Sequence, residues 1–222
     1  MRRPHGLHET KATLNVAPRG SPDGTLGRMP VREGHDGHDG AGVTVGSVER
    51  DVLRIDGRVV RIRNVRDGDR DALIALNTMS SDQSIYLRFS SGNRKIADLY
   101  VDQILRPRSA VHEAIVAVVG EEIVGVAGFE GLTEDAAEVA LLVADSHHHE
   151  GLGTLLLEHL ATIARERGYR QFDAEVLLQN RPMLKTFRDL GYERVFETEE
   201  GLTHVVIQLE HTPQSVAVID ER

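Results

Sequence analysis

Ten residues, "AAEVALLVAD" (Ala136–Asp145), carry a single acid before their last position. A run that apolar reads as a central strand, covered on both faces. Three residues beyond it comes "HHEGLG" (His148–Gly153), and a helix is expected from Glu150 to Arg167, ending at Gly168. Its Leu152, Leu155, Leu156, Leu160 and Ile163 recur at helical spacing and make one apolar face. A buried strand that turns at once into a helix with an apolar face commits the chain to α/β packing.

The flanking segments extend this pattern. "RVVRIRNV" (Arg58–Val65) alternates as a strand does. Helices follow in "DGDRDALIALNTM", with Asp67 as cap, in "SSDQSIYLRF", and in "RKIADLYVDQIL" before Pro107. "EAIVAVVG" and "EEIVGVAGFEGL" form a hairpin at Gly120, "YRQFDAEVLL" is a strand, and "NRPMLKTFRDLG" is a helix capped by Asn180. "YERVFET" and "LTHVVIQLE" close the domain as a hairpin. The expected domain spans 49–211. Residues 1–48 have no aromatics and repeat Gly, His and Asp, so they are expected to be a disordered tail, with 212–222 a flexible end.

Composition narrows the partners. The formal net charge is −9, and only seven of 26 Lys/Arg and six of 35 Asp/Glu fall in residues 1–50. The acidity therefore belongs to the domain, which argues against nucleic acid. No run of eighteen apolar residues suggests a membrane span. Cysteine is absent, which fits a cytoplasmic location.

The Gly pair points to a ligand. The first turn of a helix has unpaired N–H groups and the positive end of the dipole. Glycines at 151 and 153 leave room for a pyrophosphate against His148, His149, Glu150, Gly151, Leu152, Gly153 and Thr154. Three adjacent histidines in a loop rarely converge on one ion, so no metal is expected.

The spacing resembles the acyl-CoA-binding motif of the GNAT superfamily of N-acyltransferases, Gln/Arg-x-x-Gly-x-Gly/Ala. His148 stands in the Gln/Arg place, with Gly151 and Gly153 in the glycine places. The resemblance implies that backbone groups of Leu141, Leu142 and Val143 hold the pantetheine arm. It also implies that Asn180 contacts the cofactor and that Gly191-Tyr192 closes the motif. The implied fold is a mixed, mostly antiparallel twisted sheet with helices on both faces. The implied donor is acetyl-CoA, and the assembly would be a monomer or homodimer.

The pattern S-x-x-S-x-Y-L-R-F, from Ser81 to Phe89, further resembles bacterial protein-lysine acetyltransferases that act on acyl-CoA synthetases. That implies a protein-lysine acceptor. A small amine is the alternative acceptor, and a non-catalytic acyl-CoA-binding regulator the alternative function.

Acyl transfer to lysine needs the neutral amine, which at pH 7 costs about 4.6 kcal/mol of deprotonation. A carboxylate acting as base can take that proton. Glu138, an acid within an apolar strand, is the first candidate, ten residues before His148, where the resembling lysine enzymes place their catalytic Glu. Some branches use a spacing of eleven, which here is Ala137. Glu130 is the reserve candidate. The Tyr that often protonates the leaving thiolate, seven residues past the motif Asn, is replaced by Phe187.

Overall fold

The computed structural model describes residues 49–53 and 58–210. The expected tails at 1–48 and 212–222 lie outside the described residues. The strands are β1 (Glu49–Leu53), β2 (Val59–Asn64), β3 (His112–Val119), β4 (Glu122–Gly131), β5 (Ala136–Val143), β6 (Gln171–Leu177), β7 (Arg194–Glu199) and β8 (Leu202–Gln208). They form one sheet in the order β1-β2-β3-β4-β5-β6-β8-β7. Every pairing is antiparallel except β5 with β6.

The helices are α1 (Arg70–Met79), α2 (Asp82–Phe89), α3 (Arg94–Ile104), α4 (Leu152–Glu166) and α5 (Arg181–Asp189). They cover both faces of the sheet. Ala137, Val139 and Val143 pack in one cluster with Leu156, Leu157 and Leu160 of α4 and Leu184 and Phe187 of α5. The alternate residue Leu142 packs in a second cluster with Leu73 and Leu76 of α1, Ile85 of α2 and Val101 of α3. This two-residue alternation is what makes β5 apolar almost throughout.

Three expectations are corrected. β1 was not anticipated; "ERDVL" is short and charged, and only its pairing with β2, Glu49 opposite Arg63 through Leu53 opposite Val59, makes it a strand. Asp67 does not cap α1. A 3₁₀ turn at Asp67–Asp69 comes first and Asp69 is the cap residue. Its carboxylate is taken by the Arg63 guanidinium at 2.7 and 2.9 Å and the Arg66 N–H at 2.8 Å. Helix α4 begins at Leu152 rather than Glu150, because Gly151 adopts φ 77° and ends the turn there.

The start of β3 is held by a buried charge. Glu113 of β3 is fully buried. It accepts from Arg108 at 2.9 to 3.1 Å, from Asn64 at 3.0 Å and from Arg167 just past α4. A charge buried that deeply is tolerated only when paired and hydrogen-bonded on this scale.

Candidate active site

β5 and β6 part company. They are in register only at Ala136–Gln171, Ala137–Phe172 and Glu138–Asp173. Beyond Glu138, β5 continues to Val143 on β4, while β6 continues to Leu177 on β8. Parallel strands that diverge leave β5 with an unpaired edge, and its backbone groups need other partners.

Glu138 sits at the last registered pair before the opening. It is not a lone acid, as its sequence context suggested. Glu130 lies opposite it on β4 and Asp173 on β6, so three carboxylates form a row across the sheet. The two outer ones are committed to neighbours. Glu130 Oε1 lies 2.6 Å from His112 Nδ1 and also accepts from Arg106. Burial opposes the Glu130 anion, but His112 and Arg106 outweigh it and hold its pKa below the usual value. That makes Glu130 a weaker base than an ordinary carboxylate. Asp173 accepts from Gln171 at 2.9 Å and lies 3.0 Å from His204 Nε2.

At the other end of the opening lies the turn into α4. No side chain caps this helix. Its first main-chain bond runs from the Leu155 N–H to the Gly151 carbonyl at 3.0 Å. The N–H groups of Leu152, Gly153 and Thr154 therefore precede the helical ladder, at the positive end of a 15-residue helix. The two glycines do different work. Gly151 needs its left-handed φ, and a Cβ there would meet nothing within 4 Å, so space stays open before the helix. At Gly153 a Cβ would come 3.3 Å from Thr186 Cγ2, so this glycine lets α4 approach α5. Only the first clears ligand space directly.

The histidines separate. His148 Nε2 lies 2.9 Å from the Val143 carbonyl, so its ring folds back on the end of β5 with the proton on Nε2. His147 is partly buried, with Nδ1 2.8 Å from Glu150. The Glu150 side chain is therefore engaged within the turn. His149 is exposed and takes φ 63°, uncommon for a side-chain-bearing residue. Among the described residues no group of three His, Asp or Glu is arranged to hold a metal.

A further residue was missed. Asp145, at the end of β5, accepts from the Ser81 N–H and the Ser84 hydroxyl, each at 2.5 Å. These serines open α2, where Ser81 also caps the helix through the Ser84 N–H at 3.1 Å. The paired serines of "SSDQSIYLRF" thus tie α2 to the turn that starts α4. The other end of α2 carries Arg88 and Phe89, which with Tyr100 of α3 line a pocket over Ala140–Leu142. The partners are 61 and 64 positions apart, so no local pattern signals the link.

A helix start stripped of caps, beside a strand edge opened below it, suits a long ligand with a phosphate at one end. The model of the acetyltransferase (GNAT) family matches residues 78–192, which take in both features. The chain belongs to the GNAT acetyltransferase family. It is 29% identical over 142 residues to an acetyltransferase of Pseudomonas aeruginosa, covering 62% of this chain and 76% of that one. Among solved structures it resembles the GNAT domain of S. lividans PAT, with 32% identity and a TM-score of 0.67, over 72% of this chain and 96% of that one. It shares its fold with Salmonella typhimurium yncA, solved with its cofactor acetyl-CoA, at 18% identity and TM-score 0.55, over 69% of this chain and 95% of that one.

As a member of the GNAT acetyltransferase family the protein is an enzyme, an acetyltransferase. The uncapped amides of Leu152–Thr154 fit the pyrophosphate, and the open edge of β5 at Leu141–Val143 fits the pantetheine arm. Asn180 caps α5, accepting from the Met183 N–H at 3.2 Å, and its amide reaches the Leu87 carbonyl at 3.5 Å. Phe187 is fully buried in the α4–α5 cluster, so the place of the usual tyrosine is filled by core.

Proposed function

We propose that this GNAT enzyme transfers the acetyl group of acetyl-CoA to a lysine of a protein, such as an acyl-CoA synthetase, with Glu138 as the general base. Acetyl-CoA supplies an activated thioester. The chain supplies a held pyrophosphate, a fixed pantetheine arm and a proton acceptor. Amides of the His148–Thr154 turn bind the first, and backbone groups of Leu141–Val143 bind the second. The observation that carries the reading is the position of Glu138, at the last β5–β6 pair before the strands open and on the face of Ala140 and Leu142. An amine entering beside that face meets a carboxylate at the mouth of the opening. Glu130, the reserve candidate, is held a weaker base by His112 and Arg106.

The lysine acceptor is supported by the Ser81–Phe89 stretch and by the likeness to the GNAT domain of S. lividans PAT. The buried Phe187 agrees with it, since it stands where a tyrosine acid would otherwise be expected and carries no acidic proton. Incubation with an acyl-CoA synthetase and labelled acetyl-CoA tests the reading. Wild type should label a lysine, and Glu138→Gln should do so more slowly by about 10² to 10⁴. Equal rates would remove Glu138 from the role. Labelling of free amines with no protein labelled, read by mass spectrometry of a lysate, would replace the lysine acceptor with a small one.

A further inference from the structure

The pocket over β5 contains two polar side chains with no hydrogen-bond partner among the described residues. Arg88 of α2 is half-buried, with its guanidinium carbon 4.8 Å from the Phe89 ring centre and 4.6 Å from that of Tyr100. These rings meet edge to face at 5.6 Å, so the cation rests against a fixed aromatic pair. Among the described residues no carboxylate pairs with Arg88 and no acceptor takes its N–H groups. That stands out in a domain whose other partly buried arginines are bonded, as Arg63, Arg108 and Arg167 are. The second is Asn77 of α1, only 7% exposed. Its main-chain carbonyl accepts from Arg94 at 2.8 Å, but its side-chain amide has no partner among the described residues. Both residues line one pocket, whose floor includes Gly128 and Ala140, which are opposite each other in the β4–β5 register.

The Asn77 amide is not sealed off from the pocket, so it can donate to and accept from a group that enters there. A guanidinium presents only donors. Stacking on two rings removes much of its rotamer freedom, which favours geometric recognition of a planar anion. The floor is on the Glu138 face of β5, two residues from it, so an acceptor with its amine at Glu138 reaches this pocket with its nearest neighbouring group.

We propose that Arg88 and Asn77 form a carboxylate subsite of the acceptor, so that the amine accepted is one with a carboxylate close by. Resting on the lysine reading above, this means a target lysine with an acidic residue beside it. In an acidic domain, one unpartnered cation at the mouth of the site selects such a sequence over the repulsion that surrounds it.

Calorimetry of the full chain saturated with coenzyme A tests this without turnover. Two matched pairs are compared: a lysine peptide flanked by Glu against the same peptide flanked by Gln, and N-acetyl-lysine against its methylamide. Wild type should bind the carboxylate form of at least one pair about tenfold more tightly, which corresponds to one charge-assisted contact. Arg88→Gln should bind both forms alike, and Arg88→Lys should keep part of the preference. Retained coenzyme A affinity shows that each variant is folded. Equal binding within both pairs by wild type, or a preference that survives Arg88→Gln, overturns the subsite. The pair that shows the preference tells a peptide carboxylate from that of a free amino acid. Acetyl transfer to the same peptides is measured separately. A peptide bound with the preference but never acetylated would remove the lysine reading and leave the subsite standing.

Discussion

The turn after β5 and the pocket beside β5 present different chemistry. The turn offers main chain: the amides of Leu152, Gly153 and Thr154 and a glycine at φ 77°. The pocket offers side chains: Asn77 from α1, Arg88 and Phe89 from α2 and Tyr100 from α3. A backbone site tolerates changes of side chain but not of geometry. A side-chain site is the reverse. On the function proposed above the turn takes acetyl-CoA and the pocket the acceptor, so the division separates donor from acceptor.

The largest test of that division falls on the acceptor face. Glu138→Gln is predicted to lower kcat by about 10² to 10⁴, with the KM for acetyl-CoA unchanged in steady-state kinetics. A rise in that KM of similar size would erase the distinction, because it would make Glu138 part of the donor site.

The next effect belongs to the donor side and to geometry alone. A Cβ at Gly153 would already stand 3.3 Å from Thr186 Cγ2, and the methyls of valine reach further. Gly153→Val is predicted to push α4 from α5, destabilising the fold by about 1–3 kcal/mol. It should also raise the KM for acetyl-CoA about tenfold. Adding Thr186→Ala should restore most of both, as seen by thermal melting and kinetics. If the double variant stays as impaired as the single one, the glycine serves ligand clearance and not helix approach.

The same division governs how much could be read from sequence. The β5–turn–α4 unit was legible in outline because it is contiguous: an apolar run, a glycine pair and a leucine face state its order, though not where α4 begins. The order of the later strands and helices followed from period and caps. Asp145 was not legible, since its meaning depends on two serines more than sixty positions earlier. Nor was the Asn77–Arg88 pair, which lies on different helices and has no spacing to reveal it. Gly153 was read for ligand clearance alone, and its close approach to Thr186 of α5 needed the α4–α5 distance to be seen. The acid row flanking Glu138 required strand register, which hydrophobic alternation does not supply.

Asp145 joins the two regions, and its removal should affect both by a smaller amount. Burial raises its pKa, but the Ser84 hydroxyl, the Ser81 N–H, the His148 charge and the Ser81 hydroxyl together hold it below the usual 3.8. A carboxylate depressed on folding stabilises the native state above its unfolded pKa, and that stabilisation is lost as pH falls through the lower folded value. The group is about a third exposed. Asp145→Asn is therefore predicted to cost only about 1 kcal/mol at pH 7, with a several-fold rise in KM for donor and acceptor alike. In urea unfolding at stepped pH, the gap to wild type should close below pH 4. A gap that is constant with pH would mean that the carboxylate charge contributes nothing to the clamp.

The smallest predicted effect concerns His148, where the resembling family usually has Gln or Arg. The three side chains differ in charge, length and shape, but each can donate an N–H. In this structure His148 donates to the Val143 carbonyl at 2.9 Å, closing the end of β5 against the turn. What the position requires is then a donor to that carbonyl, with charge toward the phosphate secondary. His148→Gln should keep the KM for acetyl-CoA within about twofold of wild type, whereas His148→Ala, which leaves a carbonyl short of one hydrogen bond, should raise it about threefold to tenfold. If Gln and Ala behave alike while Arg improves on His, positive charge near the pyrophosphate is the governing property, and the main-chain character of the donor site is incomplete at this one residue.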